Sequence, residues 1–129
     1  MTHGLDLTLV AIGGAVGAVS RYLITMMATA VPGGTTPWGT TAANLLGCAG
    51  LAAAMEYSLI EGGLSPRTSL AIRVGFLGSL TTFSTFAAEA ITLGEAGRGG
   101  LSAIYLTANL AGGFAAFWFV SSLIRGWTA

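Results

Sequence analysis

Residues that could contact an ion are concentrated in one short stretch, Gly75 to Phe86 (GFLGSLTTFSTF). Two glycines and five hydroxyl residues fall within its 12 positions. Hydroxyl and backbone groups can replace the water around an ion, and a run with low helix propensity allows a helix to open. We therefore expect a break near residues 78–82, with carbonyls free to hold a cation and N–H or hydroxyl groups free to meet an anion. The alternative is an unbroken helix whose Ser and Thr side chains bond back to their own backbone.

Three other side-chain types near this stretch each allow two interpretations. Phe83 and Phe86 are three residues apart and share one helical face; they either pack in a core or turn their positive ring edges toward an anion. Asn44 is an amide inside an apolar run, and it either bonds across helices or lines a pathway. Arg21 either clamps backbone carbonyls or faces the route. We favour the clamp, because a buried cation would bind an anion too tightly to release it.

The composition indicates which kind of fold positions these residues. Only 8% of the 129 residues are charged and 53% are hydrophobic, whereas a soluble domain has about 25% charged residues. We expect an integral membrane protein with one domain, residues 1–129. Five arginines balance five carboxylates, which argues against a nucleic-acid partner because phosphate binding needs clustered cations. The sequence has no metal-ligand spacing, catalytic triad or phosphate loop, so we predict that it is not an enzyme.

Four apolar stretches predict membrane spans over about residues 7–30, 38–60, 68–92 and 101–124. The fold class is therefore an all-α membrane protein with four transmembrane helices. Turns rich in Gly and Pro, over residues 31–37, 61–66 and 94–100, connect the spans. An even number of spans places three arginines on the side of the termini and two on the other, so the positive-inside rule barely selects an orientation.

Pairs of small residues four positions apart occur in the first, second and fourth spans. Such pairs allow close helix crossings, and plain helix packing is the interpretation we favour for them. They are Gly13 with Gly17, Ala43 with Gly47, and Ala108 with Gly112.

Three motifs resemble the Fluc fluoride channels, the CrcB-like fluoride export family. They are GAVGAVSRY over residues 14–22, WGTTAANLLG over residues 38–47, and the stretch Gly75 to Phe86. They occur in three spans, in the family's order and at its chain length, while the fourth span contributes Tyr105 and small residues. The resemblance implies an antiparallel, dual-topology homodimer of four-helix subunits with a broken third helix, two pores, and a sodium ion held at the dimer centre by backbone carbonyls.

The resemblance also implies roles for individual residues. The carbonyls of Gly78 and Thr81 would hold sodium, and Arg21 would be structural. Two positions depart from the family pattern: Ala87 and Asn109 stand where the family commonly has serine. The residues that would line the fluoride pore are Phe83, Phe86, Asn44, Ser84, Thr85, Tyr105 and Thr40.

The function implied by this resemblance is a plasma-membrane channel that exports fluoride from the cytoplasm passively. Its partners would be fluoride, the lipid bilayer and a second copy of the chain, and Na⁺ would be a structural cofactor. The alternative is a proton-coupled exporter similar to the small multidrug transporters. That class needs a titratable carboxylate within the membrane. The first span has only Asp6 at its rim and the fourth has no charge, so we favour the channel.

Overall fold

The computed structural model describes residues 2–128, which form helices and turns and contain no strand. Three of the four helical stretches are single α-helices. The third stretch is composite and contains a π-helical segment between short α-helices. In chain order the elements are α1 (Thr2–Ala30), α2 (Thr36–Tyr57), α3 (Pro66–Leu70), the π-helical segment (Ala71–Leu77), α4 (Gly78–Leu80), α5 (Phe83–Glu95) and α6 (Gly99–Thr128). The predicted all-α fold class is therefore confirmed.

The helices end where turn chemistry predicts that they should. Each of the three connections contains one glycine with a positive φ, namely Gly33 at 78°, Gly62 at 75° and Gly97 at 74°. Only glycine adopts this conformation without a steric penalty. Ser65 caps α3, because its hydroxyl accepts a hydrogen bond from the Thr68 N–H at 3.2 Å. The three predicted turns are confirmed.

Close helix contacts hold the composite third stretch against α1. The most extensive contacts in the fold join α2 to α6 and α1 to the π-helical segment. A Cβ atom added at Gly13 would lie 2.5 Å from the Ala71 carbonyl oxygen, and one at Gly17 would overlap the Phe76 carbonyl oxygen. The predicted packing role of this glycine pair is confirmed, since any side chain there would force the two elements apart.

Three helical stretches are long and apolar enough to cross a membrane: His3–Ala30, Pro66–Glu95 and Gly99–Thr128. Helix α2 has 22 residues, about 33 Å of helix, but threonines and an asparagine make it less apolar. Its Thr40 and Thr41 are 2% and 6% exposed, so these hydroxyls face neighbouring helices. Helix α2 ends at Tyr57, before the predicted boundary at residue 60.

Two ion pairs join helix ends on the side of the chain termini. Arg67 Nε lies 3.3 Å from Asp6 Oδ1, which links the start of α3 to α1. Arg125 Nη2 lies 2.6 Å from Glu56 Oε1, which links the end of α6 to the end of α2. Glu56 is buried while Arg125 extends outward, so the carboxylate is neutralised where water is scarce.

Candidate functional site

An open groove of about 290 Å³ runs along α2, α6 and the third helical stretch. We call it the Phe83 groove. It brings together side chains that are far apart in the sequence, and half of the residues assigned a role from the sequence lie in its wall. Its polar and aromatic lining includes Asn44, Thr81, Thr82, Phe83, Phe86 and Asn109.

Two extended residues separate α4 from α5 at the edge of this groove. Thr81 has φ −81° and ψ 153°, and Thr82 has φ −148° and ψ 119°. In a continuous helix the N–H groups of Thr82 and Thr85 would donate to the carbonyls of Gly78 and Thr81. Here the Thr82 N–H donates to Asn44 Oδ1 at 2.8 Å. The Thr85 N–H donates to Thr82 Oγ1 at 3.3 Å. The carbonyls of Gly78 and Thr81 are thereby released from helical bonding.

Asn44 holds the extended backbone as a neighbouring strand would. Its Oδ1 accepts from the Thr82 N–H, and its Nδ2 donates to the Thr82 carbonyl at 3.3 Å. The same Nδ2 donates to Asn109 Oδ1 at 2.9 Å. Of the two interpretations from the sequence, Asn44 therefore does bond across helices, and it also lies in the wall of the groove. Both of its N–H bonds are already used.

Asn109 continues this hydrogen-bond network into α6 and back to α2. It is only 8% exposed. Its Nδ2 donates to Thr41 Oγ1 at 2.9 Å and to the Tyr105 carbonyl at 3.0 Å. A buried amide whose donors and acceptor are all satisfied fixes the helices that it joins.

The two aromatic rings of α5 have different surroundings although they share a helical face. Phe83 is 76% exposed, while Phe86 is 5% exposed. Their centroids are 5.8 Å apart with the planes tilted by 59°. Phe86 also packs on Tyr105, at 5.4 Å and 51°. These tilted arrangements direct ring edges toward neighbouring rings. Phe86 is therefore fixed in the core, whereas Phe83 is presented at the open groove.

A second cavity, of about 380 Å³, is lined by residues of α1, α2 and α5, and we call it the Glu89 cavity. Arg21, Thr40, Thr85 and Glu89 lie in its wall. Tyr105 is buried, and its hydroxyl donates to Glu89 Oε2 at 2.6 Å. Of the hydroxyl residues expected to line the pore, Thr40 and Thr85 lie in the wall of this cavity and Tyr105 bonds to its Glu89, so these three lie outside the Phe83 groove.

Arg21 and Ser84 complete the set of residues singled out from the sequence. Arg21 Nε donates to the Ser79 carbonyl at 3.2 Å, one residue before Leu80 ends α4. Its guanidinium therefore supports a carbonyl next to the extended residues. Ser84 is exposed on α5 and lies outside the walls of both cavities.

Sequence reasoning assigned no role to three residues that make hydrogen bonds in this site. Thr82 was not singled out, although its backbone is held by Asn44 and its hydroxyl caps α5. Asn109 was noted only as a departure from serine, and Glu89 was not among the residues assigned to the pore. The available signal was the presence of an amide and a carboxylate in otherwise apolar helices, since such groups need partners. The sequence alone does not say which partner each one finds.

Comparisons with known proteins agree on one family. The family model described as CrcB-like protein, Camphor Resistance (CrcB), matches residues 8–121. A relative from Rhodopirellula baltica is 38% identical over the full length of both chains. One from Hahella chejuensis is 52% identical over 67% of this chain and 68% of its own. One from Rhizobium etli is 37% identical over 91% and 94%. All three relatives are named "Fluoride-specific ion channel FluC".

Proposed function

The chain belongs to the CrcB-like family and is a multi-pass protein of the plasma membrane, and we propose that it is a fluoride-selective channel. In this proposal all four long helical stretches cross the membrane as one domain, and fluoride leaves the cytoplasm down its electrochemical gradient. The names of the relatives support the choice of ion.

The observation that carries the proposal is the position of Phe83 beside the extended residues Thr81 and Thr82. The Phe83 ring is exposed at an open groove, next to a ring that is fixed in the core. Aromatic edges carry partial positive charge without a fixed cation, so they can substitute for hydration without trapping the ion. In the proposal, Asn44 shapes the route through Thr82. In the proposal, the hydroxyls of Ser84, Thr85, Thr40 and Tyr105 serve fluoride along the rest of the route.

A second copy of the chain completes the route in this proposal. Gly78 and Phe83 are exposed on the open side of the groove, and a pore needs walls on all sides. The subunit exposes 7844 Å², against about 6,300 Å² expected for a compact soluble monomer of 13.0 kDa. An antiparallel homodimer with two pores covers this face and places the third helical stretches of the two copies against each other.

The proposed dimer centre suits a sodium ion held by the carbonyls of Gly78 and Thr81. The fit rests on these two groups, because the N–H groups that would bond them in a helix donate elsewhere. Hard cations prefer oxygen ligands, and a helix interruption supplies them. When bound, sodium supplies the positive charge that offsets repulsion among carbonyl oxygens. Arg21, through the Ser79 carbonyl, holds the end of α4 in place beside these groups.

Efflux from proteoliposomes tests the channel proposal. Vesicles loaded with fluoride and chloride should release fluoride when the membrane potential is clamped and should retain chloride. Equal release of both anions would contradict a selective channel. Fluoride efflux that requires a proton gradient would instead support the exporter alternative, for which Glu89 is the half-buried carboxylate to test.

Replacing sodium with a large organic cation tests the structural ion. Purification and reconstitution in N-methyl-D-glucamine should lower both the dimer fraction and fluoride efflux, because unbalanced carbonyls repel one another at the interface. Returning sodium should restore both quantities. A dimer fraction and an efflux rate that do not change without sodium would exclude this role for Gly78 and Thr81.

A further inference from the structure

We infer that Asn109 is a positioning residue of the ion route, which acts by fixing the orientation of the Asn44 amide and, through it, the extended backbone at Thr82. The inference rests on the proposed function only for its consequence on fluoride flux. The hydrogen-bond network that carries it is a property of the folded subunit.

The orientation of both amides follows from groups that have only one possible role. The Tyr105 carbonyl can only accept a hydrogen bond, so the Asn109 atom 3.0 Å from it must be Nδ2. The Thr82 N–H can only donate, so the Asn44 atom 2.8 Å from it must be Oδ1. These two assignments leave Asn109 Oδ1 facing Asn44 Nδ2, at 2.9 Å. The network is therefore satisfied in one orientation, and reversing either amide would bring two donors or two acceptors together.

Asn109 hydrogen-bonds to Asn44 and not to the extended backbone itself. It is buried, and its three partners belong to Thr41, Tyr105 and Asn44. Without Asn109, Asn44 Nδ2 keeps only the 3.3 Å contact to the Thr82 carbonyl, and the amide is then held by Thr82 alone, through this contact and the 2.8 Å bond to Oδ1. Rotation would present Nδ2 to the Thr82 N–H, two donors facing each other. The extended conformation would then lose the bond that releases the Gly78 carbonyl.

The side-chain length of asparagine matters for this role. A serine hydroxyl at position 109 has a single donor and ends closer to the α6 backbone, where it can return to the Tyr105 carbonyl. With its one proton donated to that carbonyl, it has none left for Thr41, and the shorter side chain ends before the position from which Asn109 Oδ1 accepts from Asn44. Asn109→Ser should therefore preserve the fold while releasing Asn44, and Asn109→Leu should release it while keeping similar bulk.

Hydrogen exchange at the Thr82 amide, together with fluoride efflux, tests the inference on the full-length protein in sodium. Asn109→Leu and Asn109→Ser should each speed exchange at Thr82 and lower efflux by about tenfold, the effect of one buried hydrogen bond. Thr107→Ala is the matched control, because Thr107 is an exposed α6 residue that bonds only to Ala103 of its own helix. It should change neither quantity. If Asn109→Leu does not fold, Asn109→Ser alone decides.

A double-mutant comparison separates positioning from general packing. If Asn109 acts through Asn44, then Asn44→Ala combined with Asn109→Ser should be no slower in efflux than Asn44→Ala alone. Multiplied losses, or unchanged Thr82 exchange in both Asn109 variants, would overturn the inference. Two results together would separate the inference from the channel proposal: faster Thr82 exchange in the Asn109 variants, and a wild-type protein that does not select fluoride over chloride. They would leave the positioning role intact and contradict the channel proposal.

Discussion

Phe83 and Phe86 are neighbours on α5, but their side chains have different surroundings. Phe86 lies between Phe83 and Tyr105, with tilted ring contacts on both sides. Phe83 has one such contact and is mostly exposed. A fixed ring keeps its edge in one direction, whereas an exposed ring depends on a partner surface or on its neighbour for orientation. The two positions should therefore respond differently to the same substitution.

Replacing either ring with isoleucine should lower fluoride efflux by about tenfold, because the substitution keeps bulk and removes the positive ring edge. Phe86→Ile should also lower the free energy of unfolding by about 1 kcal/mol, since it loses the contacts with two rings. Phe83→Ile should leave unfolding almost unchanged. Efflux and thermal unfolding of the reconstituted variants measure the two effects.

The control for these variants is Phe114→Ile, because Phe114 is 79% exposed on α6 and lies outside the walls of both cavities. It should behave as wild type in both measurements. If both single variants, Phe83→Ile and Phe86→Ile, show normal efflux, the rings are packing residues and the route lies elsewhere.

At the scale of elements, the seam between α1 and the π-helical segment sets the position of everything that follows in the third stretch. Backbone meets backbone there, since Cβ atoms at Gly13 and Gly17 would meet carbonyl oxygens of Ala71 and Phe76. The π-helical segment leads directly into α4 and then into the extended residues. A shift of this seam would therefore be transmitted to the extended residues beside the proposed ion route.

Gly17→Ala should lower the free energy of unfolding by about 1–3 kcal/mol, because the new methyl group overlaps the Phe76 carbonyl. Gly4→Ala is the matched control in the same helix, with nothing within 4 Å of the added Cβ. Alanine has a higher helix propensity than glycine, so the free energy of unfolding of Gly4→Ala should stay equal or rise. Denaturant titration of both variants measures the difference in the free energy of unfolding. Equal stability of the two variants would contradict the close backbone contact at Gly17.

The sequence predicted the helices more fully than it predicted the site. Apolar runs and Gly/Pro turns are local signals, so the four helical stretches and their connections could be read from composition alone. The low helix propensity around Thr81 and Thr82 pointed to the same place where the backbone is extended. This signal is also local.

Contacts between distant residues could not be predicted, because nothing in the chain specifies which polar groups meet after packing. Asn44 needed a partner, but the sequence did not identify Thr82 and Asn109. The bond from Tyr105 to Glu89 and the position of Thr40 and Thr85 outside the Phe83 groove have the same origin. Each depends on how α2, α5 and α6 rotate about their axes, which small residues leave poorly specified.

On the scale of the whole molecule, charge gives little preference for either orientation in the membrane. The terminal side carries Arg67, Arg73 and Arg125, and two of these pair with carboxylates. The other side carries Arg98 and Arg21, whose Nε donates to the Ser79 carbonyl. A count of three against two is too close for the positive-inside rule to decide.

Labelling from one side of sealed vesicles should therefore modify about half of the molecules at an N-terminal cysteine, introduced as His3→Cys with Cys48→Ala. A second variant, Ala96→Cys in the turn before α6, should also label by about half. Complete labelling of one variant and none of the other would establish a single orientation and exclude the antiparallel dimer.

The exposed face around Gly78 and Phe83 has a consequence for gene dosage. In the proposed dimer, a lone subunit in lipid would present released carbonyls to hydrocarbon, which is costly, so pairing would be governed by mass action. When copies are scarce, the number of working pairs rises with the square of the number of chains, and when copies are abundant it rises linearly. A cell that halves a low expression level would therefore lose about three quarters of its fluoride conductance rather than half.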